Sequence, residues 1–112
     1  MAKARNVWFA TVRADGRPHM MPIWFVWADP LLYACTDPKS VKARNLAANQ
    51  NVALALEDGS HPVICEGRAR AVEQPWPRQV IAAFRAKYDW DISEETQYTA
   101  LIEVTPCKWL SW

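Results

Sequence analysis

Apolar positions along the chain come in short runs of alternating or continuous character, broken by turn residues, a pattern that favours strands over helices for most of its length. Val7 to Ala14 is rich in β-branched and aromatic residues and is followed by Asp15-Gly16, a dipeptide suited to the positive backbone angles of a tight hairpin. The returning strand is expected from about Pro18 to Trp27. Met20, Met21, Ile23, Trp24, Phe25, Val26 and Trp27 make it apolar on both faces, as in a strand covered on two sides. Asp29-Pro30 turns the chain, and Leu31 to Thr36 reads as a third strand.

The next stretch, TDPKSVKARNLAANQ, changes character. Asp37 can cap a helix, Pro38 suits a first turn, and no β-branched run opposes a helix ending near Asn49-Gln50-Asn51. Val52 to Glu57 reads as strand four and Asp58-Gly59 as a turn. Val63 to Glu73 reads as strand five, with Gly67 marking a bend or bulge. Pro75 and Pro77 introduce a second helix, about Arg78 to Lys87, on which Val80, Ile81 and Phe84 share a face. Tyr88 to Gln97 is polar and irregular. Tyr98 to Leu110 alternates as a closing strand, with Pro106 as a candidate break. Six strands and two small helices favour a closed or half-closed antiparallel barrel, because closure removes exposed edges.

Composition narrows the picture. The chain has 112 residues, enough for one domain with one core, so a deep site is most readily built between two copies. A hydrophobic fraction of 51% with 22% charged residues points to a packed globular protein. The formal charge of +1 gives no global attraction to nucleic acid or to an anionic membrane, so any anion site must be local. The first residues, MAKARNVWFATVRADG, contain no apolar run of signal-peptide length, and no stretch approaches the ~20 residues of a membrane helix; a soluble cytoplasmic protein is expected. Three widely spaced cysteines, Cys35, Cys65 and Cys107, read as reduced core residues. Seven tryptophans are a surplus that suits a subunit interface or a planar ligand, although core packing can absorb several of them.

One local concentration of chemistry stands out. A helix start offers unpaired amides and the positive end of the macrodipole, so a phosphate can dock there without a glycine-rich loop. Thr36, Ser40 and Lys42 add two hydroxyls and an ammonium at that point, with Arg44 and Asn45 further round the helix. A solvated basic helix face is the plainer reading of these cations alone. His19 and His61 have no metal-ligand spacing, and His19 reads as exposed after its turn. Glu57-Asp58 and Glu94-Glu95 are sequence neighbours that point apart, so they read as solvated.

The ordered series of a hydrophobic strand, DGRP, PHMMPIWF, a strand ending ACT, SVKARNL, NVALAL and EGRA resembles the flavin-binding split-barrel family related to pyridoxamine 5'-phosphate oxidase. The resemblance covers nearly the whole chain and is specific as a set, whereas each piece alone is weak. It implies a mainly β fold, a six-stranded Greek-key split barrel with two short helices, and a homodimer. It also implies flavin mononucleotide (FMN), or in one branch the deazaflavin coenzyme F-420, in a groove at the dimer interface. Under the resemblance Thr36, Ser40 and Lys42 are phosphate ligands with Arg44 and Asn45 as helpers. Met21, Pro22, Ile23 and Trp24 run along the edge and face of the flavin ring, with Cys35 beside Thr36. His61 and Trp109 belong to regions that reach the cofactor from the other subunit.

Departures from the family pattern matter too. The vitamin-processing oxidases carry an arginine where Met21 stands, a lysine where Val26 stands, and a C-terminal arm beyond the position of Trp112. Oxidation of pyridoxamine phosphate itself is therefore not expected. The expected activity is an FMN-dependent oxidoreductase acting on a small organic molecule, with a nicotinamide nucleotide as a candidate donor. A deazaflavin-dependent reductase and a non-catalytic flavin carrier are the alternatives. Because the flavin ring itself carries hydride, no acid, base or triad need be visible.

Overall fold

The computed structural model describes residues 6–28, 30–56 and 63–111. Its elements in chain order are β1 (Asn6–Val12), β2 (Pro18–Trp24), β3 (Val26–Ala28), β4 (Leu31–Thr36), α1 (Val41–Ala48), β5 (Asn51–Leu56), β6 (Val63–Val72), α2 (Arg78–Tyr88), a 3-10 turn (Ile92–Glu94) and β7 (Ala100–Ser111). The seven strands form one antiparallel sheet in the order β2-β1-β5-β6-β7-β4-β3. β2 and β3 are its two edges, yet a single residue, Phe25, joins them. The sheet must therefore curl until its edges nearly meet, which makes a half-barrel with a seam.

That joint is why seven strands stand where six are expected. The segment from Pro18 to Trp27 pairs with β1 as far as Trp24, then crosses to β4 from Val26. At the crossing Phe25 has no strand partner, and its backbone is satisfied from α2: the Tyr88 hydroxyl accepts from the Phe25 amide at 3.0 Å and donates to its carbonyl at 2.8 Å, and Lys87 Nζ donates to the same carbonyl at 3.0 Å. Two-sided cover also falls elsewhere than expected. In β2 only Ile23 is buried, whereas β4 is buried on both faces. The inward side of β4, Leu32 and Ala34, joins Val7, Phe9, Phe25 and Leu54 inside the curl. Its outward Tyr33 joins Val80, Phe84 and Tyr88 under α2.

The hairpin after β1 closes as expected, with Gly16 at a φ of +90° and its amide donating to Arg13. β7 runs on through Pro106 with Cys107 left out of the pairing, Glu66 facing Lys108 and Gly67 facing Pro106. The β6 register shifts between Glu66 and Gly67, and a Cβ on Gly67 would lie 2.5 Å from the Thr105 carbonyl oxygen. The expected turn at Asp58-Gly59 lies outside the described residues. α1 begins later than expected: Asp37 and Pro38 form a preceding turn, with the Asp37 side chain accepting from the Lys39 amide at 2.8 Å, and the cap is Ser40, whose hydroxyl accepts from Ala43 at 3.3 Å. Among the described residues no helix is long and apolar enough to cross a membrane.

Candidate functional site

A cleft of about 760 Å³ opens at the seam. Met21, Pro22, Ile23 and Trp24 of β2 line one side; Cys35 and Thr36 at the end of β4 and Lys42 in the first turn of α1 line another; Trp90, Glu95 and Tyr98 come from the loop between α2 and β7. β2 is an edge strand, paired with β1 on one side only, and four consecutive residues of it line the cleft.

The α1 end gathers unpaired amides, two hydroxyls and an ammonium. With Ser40 as cap, the first helical bond runs from Arg44 to the Ser40 carbonyl, so the amides of Val41 and Lys42 precede the ladder. The Thr36 and Ser40 hydroxyls lie 3.3 Å apart, one strand end against one helix start. Burial lowers the Lys42 ammonium below the usual lysine value, opposed by the nearby Asp37 carboxylate. An anion in the cleft would offset that lost hydration directly.

The cleft gathers seven of the expected ligand residues, Met21, Pro22, Ile23, Trp24, Cys35, Thr36 and Lys42, with Ser40 touching Thr36 at its rim. Arg44 is exposed and does not line the cleft. Asn45 is buried and turned inward, donating to the Thr11 hydroxyl at 2.9 Å, and so ties α1 to β1. Trp109 is exposed on β7, edge-on to Trp27 at 5.9 Å, and does not line the cleft. His61 lies outside the described residues. Cys35 lines the cleft as a protonated thiol, pushed up to about 12 by burial and then by the Glu95 charge. Cys107 is exposed, not a core residue. His19 is half-buried rather than exposed, and its Nδ1 has no hydrogen-bond partner.

Trp90, Glu95 and Tyr98 are not among the residues expected at the site: Trp90 and Glu95 fall in a segment that reads as polar and irregular, with Glu95 solvated, and Tyr98 opens the expected closing strand, which begins instead at Ala100. Glu95 is half-buried: one oxygen accepts from the Trp90 indole at 3.2 Å, the other from the amides of Tyr98 at 3.2 Å and Gln97 at 3.4 Å. Two aromatic residues flanking a carboxylate in an otherwise polar stretch were the available signal. Among the described residues no cluster of His, Cys, Asp or Glu could hold a metal ion.

Comparison with solved structures supports the architecture. HutZ, the heme storage protein of Vibrio cholerae, superposes with a TM-score of 0.83 at 22% identity, over 96% of this chain and 86% of that one. An F420 reductase gives 0.74 at 24% identity over 97% and 92%. General Stress Protein 26 of Bacillus anthracis gives 0.73 at 26% over 96% and 84%. No curated protein matches in sequence. The family model for pyridoxamine 5'-phosphate oxidase matches residues 1–112, and the curled sheet with its cleft at the seam agrees with it, so this chain belongs to the pyridoxamine 5'-phosphate oxidase family.

Proposed function

We propose that the chain is a flavin-dependent oxidoreductase that holds FMN in the seam cleft and passes hydride or electrons to a small organic molecule other than pyridoxamine phosphate. The observation that carries this reading is the meeting, in one cleft, of a helix start bearing hydroxyls and an ammonium with an apolar edge strand. Such a site accepts a molecule with a phosphate at one end and a flat ring at the other. The residues present fit the group. Lys42, Thr36, Ser40 and the α1 amides would hold the phosphate, while Met21, Ile23 and Trp24 would cover the ring and the β2 backbone would serve its polar rim. Arg44 and Asn45 act at one remove, Arg44 through its charge and Asn45 by fixing α1 on β1.

When bound, the flavin supplies the redox chemistry. The chain supplies placement, an electropositive grip on the phosphate, and a wall that keeps water from one side of the ring. Cys35, held protonated, contributes packing rather than a nucleophile.

A second copy completes the site in this reading. Trp8, Ala10, Met20, Pro22, Ala53 and Ala55 occupy facing positions on the outer surface of β2-β1-β5. Met20 is 62% and Trp8 37% exposed, an apolar face suited to burial against another protomer, and in this reading Trp109 serves the neighbour's cleft. A deazaflavin in place of FMN is the alternative, since the same helix start would take its phosphate.

Titration with FMN and with coenzyme F-420, followed by quenching of tryptophan fluorescence, tests the reading. Retained FMN that a nicotinamide nucleotide reduces and an organic acceptor reoxidises supports it. Tight flavin that never turns over points to a carrier, preference for F-420 points to the deazaflavin branch, and no binding of either overturns the proposal.

A further inference from the structure

The loop side of the cleft carries a different chemistry from the helix side. Trp90, Glu95 and Tyr98 all come from the connection between α2 and β7, and their positions are fixed by packing. Trp90 stands edge-on to the core residue Phe84 at 5.6 Å, to Trp24 at 5.9 Å and to Tyr98 at 6.1 Å, each at 79° or more. Its indole N–H, with the amides of Gln97 and Tyr98, holds the Glu95 carboxylate in place. All three donors are neutral. They orient the carboxylate and favour its ionised form without cancelling its charge, and no ion pair among the described residues includes Glu95.

A fixed carboxylate beside aromatic rings is a recognisable combination. The carboxylate supplies net attraction for a positive charge, and the rings add their quadrupole and apolar contact for the carbons around it. An anionic group meets repulsion at the same place, so the wall discriminates as well as binds. The cleft is thereby polarised, with an ammonium at the α1 end and a carboxylate among rings on the loop side.

We infer that Glu95, Trp90 and Tyr98 form the substrate-recognition wall of the cleft and select a small molecule that carries an organic cation, a protonated amine or a quaternary ammonium. That the cation belongs to the substrate rests on the flavin reading; that it binds here does not.

The test titrates choline and its uncharged isostere 3,3-dimethylbutan-1-ol into the protein, with and without FMN, and follows tryptophan fluorescence. Choline should bind at least about tenfold more tightly than the alcohol. Glu95→Gln should shrink that preference to within about threefold by removing the charge, and Tyr98→Leu, which keeps the carboxylate, should reduce it by a smaller factor. Thermal unfolding reports whether each variant is folded, and the wild-type comparison stands without them. Equal binding of choline and the alcohol by FMN-loaded wild type overturns the inference while leaving the flavin reading intact. A preference that survives in folded Glu95→Gln also overturns it. A protein that binds no flavin yet still prefers choline, through Glu95, supports the cation wall and removes the flavin reading.

Discussion

The Tyr88 hydroxyl closes the joint at Phe25 from both directions, accepting the Phe25 amide proton at 3.0 Å and donating to its carbonyl at 2.8 Å. Phe25 is where the chain leaves one edge of the sheet and rejoins at the other, so this side chain of α2 holds the seam. In Tyr88→Phe the ring that stacks on Trp24 at 4.5 Å stays, and Lys87 still reaches the carbonyl. The buried amide loses the phenol. Urea unfolding should show a loss of about 1–3 kcal/mol, the cost of a buried donor left unpaired, and an unchanged midpoint would deny the joint its importance.

Asn45 and Thr11 form a second buried tie, at 2.9 Å, between α1 and β1. Asn45→Ala strands the Thr11 hydroxyl and leaves a small void. A stability loss of about 1–3 kcal/mol is expected, read by chemical denaturation.

Alkaline pH should destabilise the fold. Burial raises Cys35 from an ordinary value of 9.0 to about 12 and Cys65 from 9.0 to about 11; burial, then the hydrogen bond to Glu103, raises Tyr33 from 10.0 to about 12. The folded state thus keeps these protons longer than the unfolded state. The stability they contribute is complete below about pH 9 and declines as pH climbs toward about 12. Denaturation midpoints measured across that range should fall, with a shallower slope in Cys35→Ala. A flat profile would contradict the burial of these groups.

If the outer face of β2-β1-β5 meets its copy, a charge placed on that face should separate them. Met20→Lys is expected to convert a dimer to a monomer in sedimentation experiments without unfolding it, because Met20 makes little contact within its own protomer at 62% exposure. Wild type that sediments as a monomer at high concentration removes the two-copy site.

Much of this architecture is written in local sequence. Asp15-Gly16, Gly67, the apolar face of Val80 and Phe84, and the strand ending at Thr36 each act over a few residues, and each appears where the pattern places it. The division at Phe25 was not legible, because both halves of PHMMPIWFVW have strand character and only the partner, β1 or β4, tells them apart. The cap was misplaced for a related reason: Asp37 and Ser40 both suit a helix start, and the Asp37 turn decides between them. Of the cleft, the strand and helix sides could be found from a motif. The loop side could not, since Glu95 reads as a surface residue until Trp90 and Tyr98 close around it.

In the proposed flavin reading the start of α1 grips the phosphate of a flavin whose ring lies along β2. Parallel titrations of FMN and riboflavin against wild type and Lys42→Ala test it most directly, because the two ligands differ only in the phosphate. Wild type should bind FMN the more tightly, and Lys42→Ala should weaken FMN by about 1–3 kcal/mol while leaving riboflavin nearly unchanged. Equal affinity of wild type for the two ligands, or an equal loss for both in Lys42→Ala, would contradict the account.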